Sequence, residues 1–482
     1  MDYFCTMQYK FFSLLIFLVF CANTQAQKKW NLLQCVEYAM ANNLTIKQTD
    51  LQTGLSELTY KQSKKGQLPT FSFNGGPAFN SGRNQDPTTF SLITQSYLSA
   101  NMQLQSSAEI FNWFSKRNTI AANEWNLMAA KANIDKLKND LALTVANAYL
   151  QILLAREQEK IAGVQLQQSQ AQLFNTRKLV DAGALPELNA AELEAQVARD
   201  SANFISAGGN AAQGILNLKA FMNIDAAADF EIETPPVEKI PVEKIGDLQP
   251  ESVFISAMAN MPQQRVNDYN LKAAKKNGAA ARSSMYPTIS IFGSLGSGYN
   301  SRSQEITGSS PVLLPFGEVN VGGIDYSVYP IVPFSSYNYR KTPFFSQLNQ
   351  NFRQSVSLNI SVPIFNGHSL RTVYERSKIN IKNQELQREI DDQKLKQDIY
   401  QAHNAAMLAF EKFNAGKKTV DAAERTYSFA KKRYDVGMLS TFELITNQNN
   451  LFRAKLEHTL NQFDYVFKMK VLEFYKGQGL KL

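Results

Sequence analysis

The chain has 482 residues, 44% of them hydrophobic and 19% charged, enough for several ordinary domains if they packed as globules. Fifty Lys and Arg against 42 Asp and Glu give a net charge of +8. These charges are spread along the chain and not gathered on one stripe with interleaved aromatics, which argues against a nucleic-acid partner and for solvated helix faces.

The first residues read as an export signal. Lys10 precedes an apolar run over residues 11–20, and Thr24-Gln25-Ala26 has the small-residue character of a cleavage site. The signal is therefore assigned to 1–26 and the mature chain starts near Gln27; translation from Met7 leaves this unchanged. Cys21 offers a lipid anchor as the alternative, but the bulky Phe20 precedes it where such motifs place a small residue, and plain cleavage is the reading taken. Cleavage removes Cys5 and Cys21, leaving Cys35 alone in an amphipathic stretch, which makes it a core residue and excludes an intrachain disulfide framework. No apolar run reaches the roughly 20 residues of a membrane-spanning helix, so any membrane insertion must use strands.

The mature chain is written twice. Residues 32–65 have helical spacing and end before Pro69, which opens a strand with Thr70-Phe71-Ser72-Phe73. The segment containing Ala100, Met102 and Leu104 alternates with Asn101, Gln103 and Gln105, the period of a strand with one apolar face. From Asn112 to Leu179 there is no proline, and Ile134, Leu137, Leu141, Val145, Ala148 and Ile152 step by three and four. An unbroken helix of that length measures about 100 Å. Gly183 then reverses the chain into a second long helical run.

The order returns in the second half. A helical segment over 250–282 leads to Pro287, which lies 218 positions after Pro69, and Ile289 and Ile291 follow in a strand. Val356, Leu358, Ile360 and Val362 alternate with Ser357, Asn359 and Ser361. Ile364-Phe365-Asn366 stands 254 positions after Ile110-Phe111-Asn112, and Gly437 stands 254 after Gly183. The long helix between them carries Leu395, Ile399, Ala402, Ala406, Ala409 and Phe413, then Val420, Tyr427 and Tyr434 spaced by seven. The two offsets differ by 36 residues, which places an insertion in the Ser-, Gly-, Pro- and Tyr-rich connection 301–351. The predicted organisation is a first repeat at 27–221, a linker at 222–249, a second repeat at 250–474 and a tail at 475–482.

Four strands cannot close a membrane barrel, because open edges leave backbone groups unsatisfied in hydrocarbon and bacterial barrels begin at about eight strands. The long amphipathic hairpins likewise need neighbours. Both observations predict an oligomeric duct.

The opening Trp30-Asn-Leu-Leu-Gln-Cys35-Val-Glu-Tyr-Ala39, the two prolines before strands, the duplication and the paired Asp181-x-Gly183 and Asp435-x-Gly437 turns together resemble the TolC-like outer-membrane efflux proteins along essentially the whole mature chain. The resemblance implies a mixed all-α and membrane β-barrel fold: a homotrimer with a twelve-stranded barrel in the outer membrane and a helical tunnel in the periplasm. It also implies a passive exit duct of a tripartite efflux or type I secretion system, whose partners are a periplasmic adaptor and an inner-membrane pump. The adaptor-docking positions it implies are Asp181, Gly183, Ala184 and Leu185 with Asp435, Gly437, Met438, Leu439 and Ser440. A carboxylate constriction would fall at Glu443 and position 446, but 446 is Thr; Glu192, its counterpart after Gly183, can supply the missing carboxylate.

No catalytic, cofactor or metal constellation emerges. His368, His403 and His458 are far apart in sequence, and Gly293-Ser-Leu-Gly296-Ser-Gly298 lacks the Gly-Lys-Ser/Thr ending of a phosphate loop and is read as flexible strand. The chain is therefore not expected to be an enzyme. The alternative is an exported, non-transporting helical coiled-coil scaffold of the cell envelope.

Overall fold

A computed structural model describes residues 29–85, 90–235, 237 and 240–477; the signal at 1–26, Cys21 included, and tail residues 478–482 lie outside them. The described residues form two compact units. One takes its described residues from 29–57, 124–272 and 382–477, the other from 58–123 and 273–381, so each unit draws on both repeats.

The duplication extends to individual elements. Helices α1 (Leu32–Asn42) and α2 (Leu44–Lys65) have 11 and 22 residues, as do α5 (Pro250–Asn260) and α6 (Pro262–Ser283), 218 positions later. The long helices α3 (Ser115–Asp181) and α8 (Ser369–Asp435) have 67 residues each, about 100 Å at 1.5 Å per residue. Their return helices α4 (Glu187–Met222) and α9 (Thr441–Tyr475) have 36 and 35. Where α1 gives way to α2, the Asn43 side chain accepts from the N–H groups of Thr45 and Ile46 at 2.9 and 3.3 Å. In the second repeat Pro262 begins α6 instead, since its missing N–H costs nothing at a helix start.

The helical unit is built around two related cores. Cys35 and Ala39 of α1 pack with Val145, Tyr149 and Ile152 of α3, Leu218 and Met222 of α4 and Phe463 of α9. Val253 and Ala257 of α5, the counterparts of Cys35 and Ala39, pack with Ile399 and Ala406 of α8 and Met469 and Leu472 of α9. Burial of the Val, Leu, Ile, Met and Phe side chains among these stabilises by about 1.5–3 kcal/mol each, and of the alanines by less. Cys35 is 0% exposed, and loss of hydration pushes its thiol up to about 12, which makes it an inert core residue. The linker joins this core: Trp30 and Ile232 form a parallel bridge, and the buried Tyr149 hydroxyl donates to the Glu233 carbonyl at 2.5 Å.

In the other unit, β1 (Thr70–Gln85), β2 (Leu92–Phe111), β3 (Thr288–Asn300) and β8 (Arg353–Ser361) form one antiparallel sheet in the order β1-β2-β3-β8. The register gives the sheet one mainly apolar and one mainly polar face, with Ser106 and Gln354 on the first and Phe292 on the second. Phe71 and Phe73 of β1, Met102 and Leu104 of β2, Ile291 and Leu295 of β3 and Val356 and Leu358 of β8 share one face. The other carries Ser72, Asn74, Gln103, Gln105, Ser294, Ser355 and Ser357, with the Ser294 and Ser355 hydroxyls 2.8 Å apart. The glycine-rich segment 293–298 is regular β3 strand, paired with β2 throughout and with β8 over 293–296.

Strand β2 turns into α3 through Trp113 and Phe114, at φ 50° and 66°, and the second repeat makes the same corner with Gly367 and His368, at 62° and 63°. Two bulky residues in the left-handed region are strained. Ring contacts offset this: Phe111 lies 5.3 Å from Trp113, and Trp113 lies 5.1 Å from Tyr286.

The connection 301–351 is structured and not a simple loop. It holds the ribbon β4 (Gln304–Val312) with β7 (Phe334–Lys341), the hairpin β5 (Gly317–Val321) with β6 (Ile324–Val328), and the short helix α7 (Phe344–Gln350). Gly322 and Gly323, at φ 66° and 88°, make the tight turn between β5 and β6. Because Gln304 pairs directly with Lys341, replacing residues 305–340 by an Asn-Gly turn is expected to leave the trimer intact on mild-detergent gels. Loss of trimer in that deletion would make the ribbon part of the assembly.

Candidate functional site

Both hairpin tips reverse the chain by the same backbone device. At the end of α3 the Ala184 N–H reaches the Leu179 carbonyl at 2.8 Å and the Gly183 N–H reaches Val180 at 2.8 Å. At the end of α8 the Met438 and Gly437 N–H groups reach Arg433 and Tyr434 at 2.8 and 2.9 Å. Gly183 and Gly437 stand at φ 73° and 75°, the left-handed conformation this helix ending requires.

The return helices start differently. Pro186 precedes α4 without a side-chain cap, whereas Ser440 and Glu443 form a reciprocal capping box at the start of α9, each binding the other's backbone N–H at 3.2 Å. The Ser440 N–H, and the Ser440 hydroxyl donating to the same carboxylate at 3.0 Å, hold the Glu443 carboxyl below its ordinary range. A depressed carboxyl contributes stability above its unfolded pKa that is lost as pH falls through the folded one. Thr446 instead turns its hydroxyl back onto the Phe442 carbonyl at 2.8 Å, and Glu192 is half-buried on α4.

Between the two hairpins lies a cavity of about 920 Å³ lined by Gln172, Thr176, Leu185, Tyr427, Tyr434 and Leu439 among others. Thr176 bonds Tyr434 and Gln172 donates to Tyr427, both at 3.1 Å. Deeper in, Ser169 donates to the buried Asp200 at 2.5 Å, Gln196 supports the same carboxylate at 2.9 Å, and Gln448 of α9 reaches Ser169 at 3.3 Å. These directional bonds fix the register of one hairpin on the other. Arg177 ties the first tip together through Glu187 at 2.5 Å and through Glu194.

Of the tip residues identified from sequence, Asp181, Gly183, Ala184, Asp435, Gly437, Met438 and Ser440 are exposed, whereas Leu185 and Leu439 are half-buried against the cavity. The exposed apolar surface includes residues that sequence reasoning missed: Leu188 at 66%, Val436 at 69% and Phe442 at 67%. Leu188 and Phe442 are counterparts at the repeat offset of 254, a signal that was present in the sequence. Among the described residues no group of three or more His, Cys, Asp or Glu side chains is placed to hold a metal ion. His458 stacks on Phe413 at 5.2 Å within the helical unit.

Duplicated helical hairpins about 100 Å long, with a four-stranded sheet that is apolar on one face and polar on the other, define a protomer of an oligomeric channel. The chain matches the sequence model of the outer membrane efflux protein family over residues 35–223 and 255–468, and it belongs to that family. It is 22% identical over 436 residues to the toluene efflux pump outer membrane protein TtgC of Pseudomonas putida, covering 88% of this chain and 78% of TtgC. The fold is similar to crystal structures of CusC (TM-score 0.75, 15% identity, 94% of this chain and 92% of that one) and of the Campylobacter jejuni CmeC channel (TM-score 0.73, 15% identity, 93% and 86%). The protein is thus a trimeric exit duct of the outer membrane, with its helices in the periplasm. The family is one of channels and not of enzymes.

Proposed function

We propose that the trimer is a passive duct whose cargo is chosen by an inner-membrane pump, joined to it by a periplasmic adaptor that docks on the hairpin tips. The observation that carries this reading is the paired apolar surface at equivalent positions of both tips, Leu188 and Phe442, beside two identical chain reversals. A surface of this kind, repeated six times in a trimer, suits a partner that meets all the tips alike. An exported scaffold standing in water would leave the exposed apolar sheet face of Phe71, Phe73, Val356 and Leu358 uncovered, whereas a barrel in lipid covers it and turns the polar face to the lumen. Ion conductance of purified trimer in a planar bilayer tests the duct directly, and a tight, non-conducting trimer would favour the scaffold.

Glu192 and Glu443 are proposed to form a carboxylate constriction near the periplasmic end, up to six charges in a trimer. Crowded carboxylates in a narrow, weakly screened bore favour cations. Glu443→Gln separates the two roles of that residue, because glutamine still completes a capping box while removing the charge. The double variant Glu192→Gln with Glu443→Gln is expected to form normal trimers and lose most of its cation preference in single-channel recordings. Unchanged selectivity would leave Glu443 as a helix cap only.

A further inference from the structure

Helix α7 lies on a specific side of the sheet. Tyr299 and Ser297 belong to the same face of β3 as Leu295 and Ile291, the apolar face. The Phe344 ring packs on Tyr299 at 5.2 Å, and the Ser297 hydroxyl donates to the Leu348 carbonyl at 2.7 Å. Gln347, 2% exposed, clamps the helix: its side chain accepts from the Asn300 N–H at 2.9 Å and donates to the Thr342 carbonyl at 2.8 Å. The helix is therefore held against the apolar side of the sheet, while its phenylalanines remain uncovered, Phe345 at 81% and Phe344 at 40%.

We infer that α7 is a membrane anchor, with Phe344 and Phe345 seated in the outer-leaflet interface of the bilayer that surrounds the barrel. The inference rests on the reading of the apolar sheet face as lipid-facing. The spacing along β3 supports it. From Ile289 to Tyr299 the strand advances ten residues, about 33 Å at roughly 3.3 Å each. With the usual tilt of about 40°, this spans about 25 Å along the membrane normal, the height of the apolar band of such barrels. The aromatic corner of Phe111, Trp113 and Tyr286 marks the other end of the same sheet. Aromatic side chains favour both borders of a bilayer because their rings are apolar yet tolerate the headgroup region. Strand β8 begins only at Arg353, after α7. The helix thus occupies the level at which the chain re-enters the sheet, and it fixes how deep the barrel sits.

The test places a nitroxide on Phe345→Cys in trimers reconstituted into vesicles of phosphatidylethanolamine and phosphatidylglycerol. Collision rates with lipid-soluble oxygen and a water-soluble nickel chelate are then compared. The only cysteine of the described residues, Cys35, is 0% exposed and stays unlabelled. Val356→Cys and Ser357→Cys, on opposite faces of β8, give the lipid and lumen references. The oxygen-to-nickel ratio at 345 is expected to approach that at 356 and to exceed that at 357 several-fold. A ratio at 345 equal to that at 357, with 356 still high, overturns the anchor alone. A low ratio at 356 itself overturns the reading of the sheet face and the anchor with it.

Discussion

Val356→Arg is expected to abolish recovery of trimer from the outer membrane, whereas Ser357→Arg, one residue away, is expected to leave it intact. Val356 is 77% exposed on the apolar face and pairs with Gly293 near the middle of β3, which the proposed seating of the sheet puts near the bilayer midplane. An arginine facing lipid at the bilayer midplane costs about 2–4 kcal/mol. Three copies per trimer bring the cost to roughly 6–12 kcal/mol, comparable with the whole stability of an ordinary fold. Ser357 faces the polar side, where a charge meets water. Membrane fractionation and unheated gels measure both variants, and the opposite pattern would mean that the faces are reversed.

The second large effect is expected at the tips. Leu188→Glu combined with Phe442→Glu should abolish export of a pump substrate while trimer formation, membrane insertion and bilayer conductance stay at the parental level. Both side chains are about two-thirds exposed, so their loss removes little from the core. Apolar anchors at the centre of an interface each contribute about 2 kcal/mol or more to binding, roughly a thirtyfold change in affinity. Leu185 and Leu439 are poorer probes, because both line the cavity between the hairpins and charging them would disturb hairpin packing as well as any docking. Normal export by the double variant would remove this surface from the adaptor contact and place docking elsewhere on the helices.

Much of this architecture was legible in the residues. Helical and strand periods are local properties, so the steps from Ile134 to Ile152 and the alternation from Val356 to Val362 reported their elements directly. The repeat then added long-range information that no single motif held: equal offsets at Phe111 and Gly183 required long helices of equal length, and both have 67 residues. Gly183 and Gly437 announced their turns because few other residues accept the left-handed backbone those endings need. Some signals were present but unread. Ser440-x-x-Glu443 is a capping-box signature, and Gly322-Gly323 between alternating segments is a hairpin turn inside what composition alone suggests is a loop.

What the tertiary structure decided was which apolar residues are covered. Leu185 and Leu188 lie three positions apart in the same tip, yet the first is half-buried against the cavity and the second is exposed. Only the packing of one hairpin on the other separates them. The same holds for α7: sequence supplies a short run with phenylalanines, but its placement on the apolar face follows from Gln347 gripping Asn300 and Thr342 and from Ser297 binding Leu348. Periodicity determines the face a residue takes within its own element, and what lies against that face depends on residues far away in the chain.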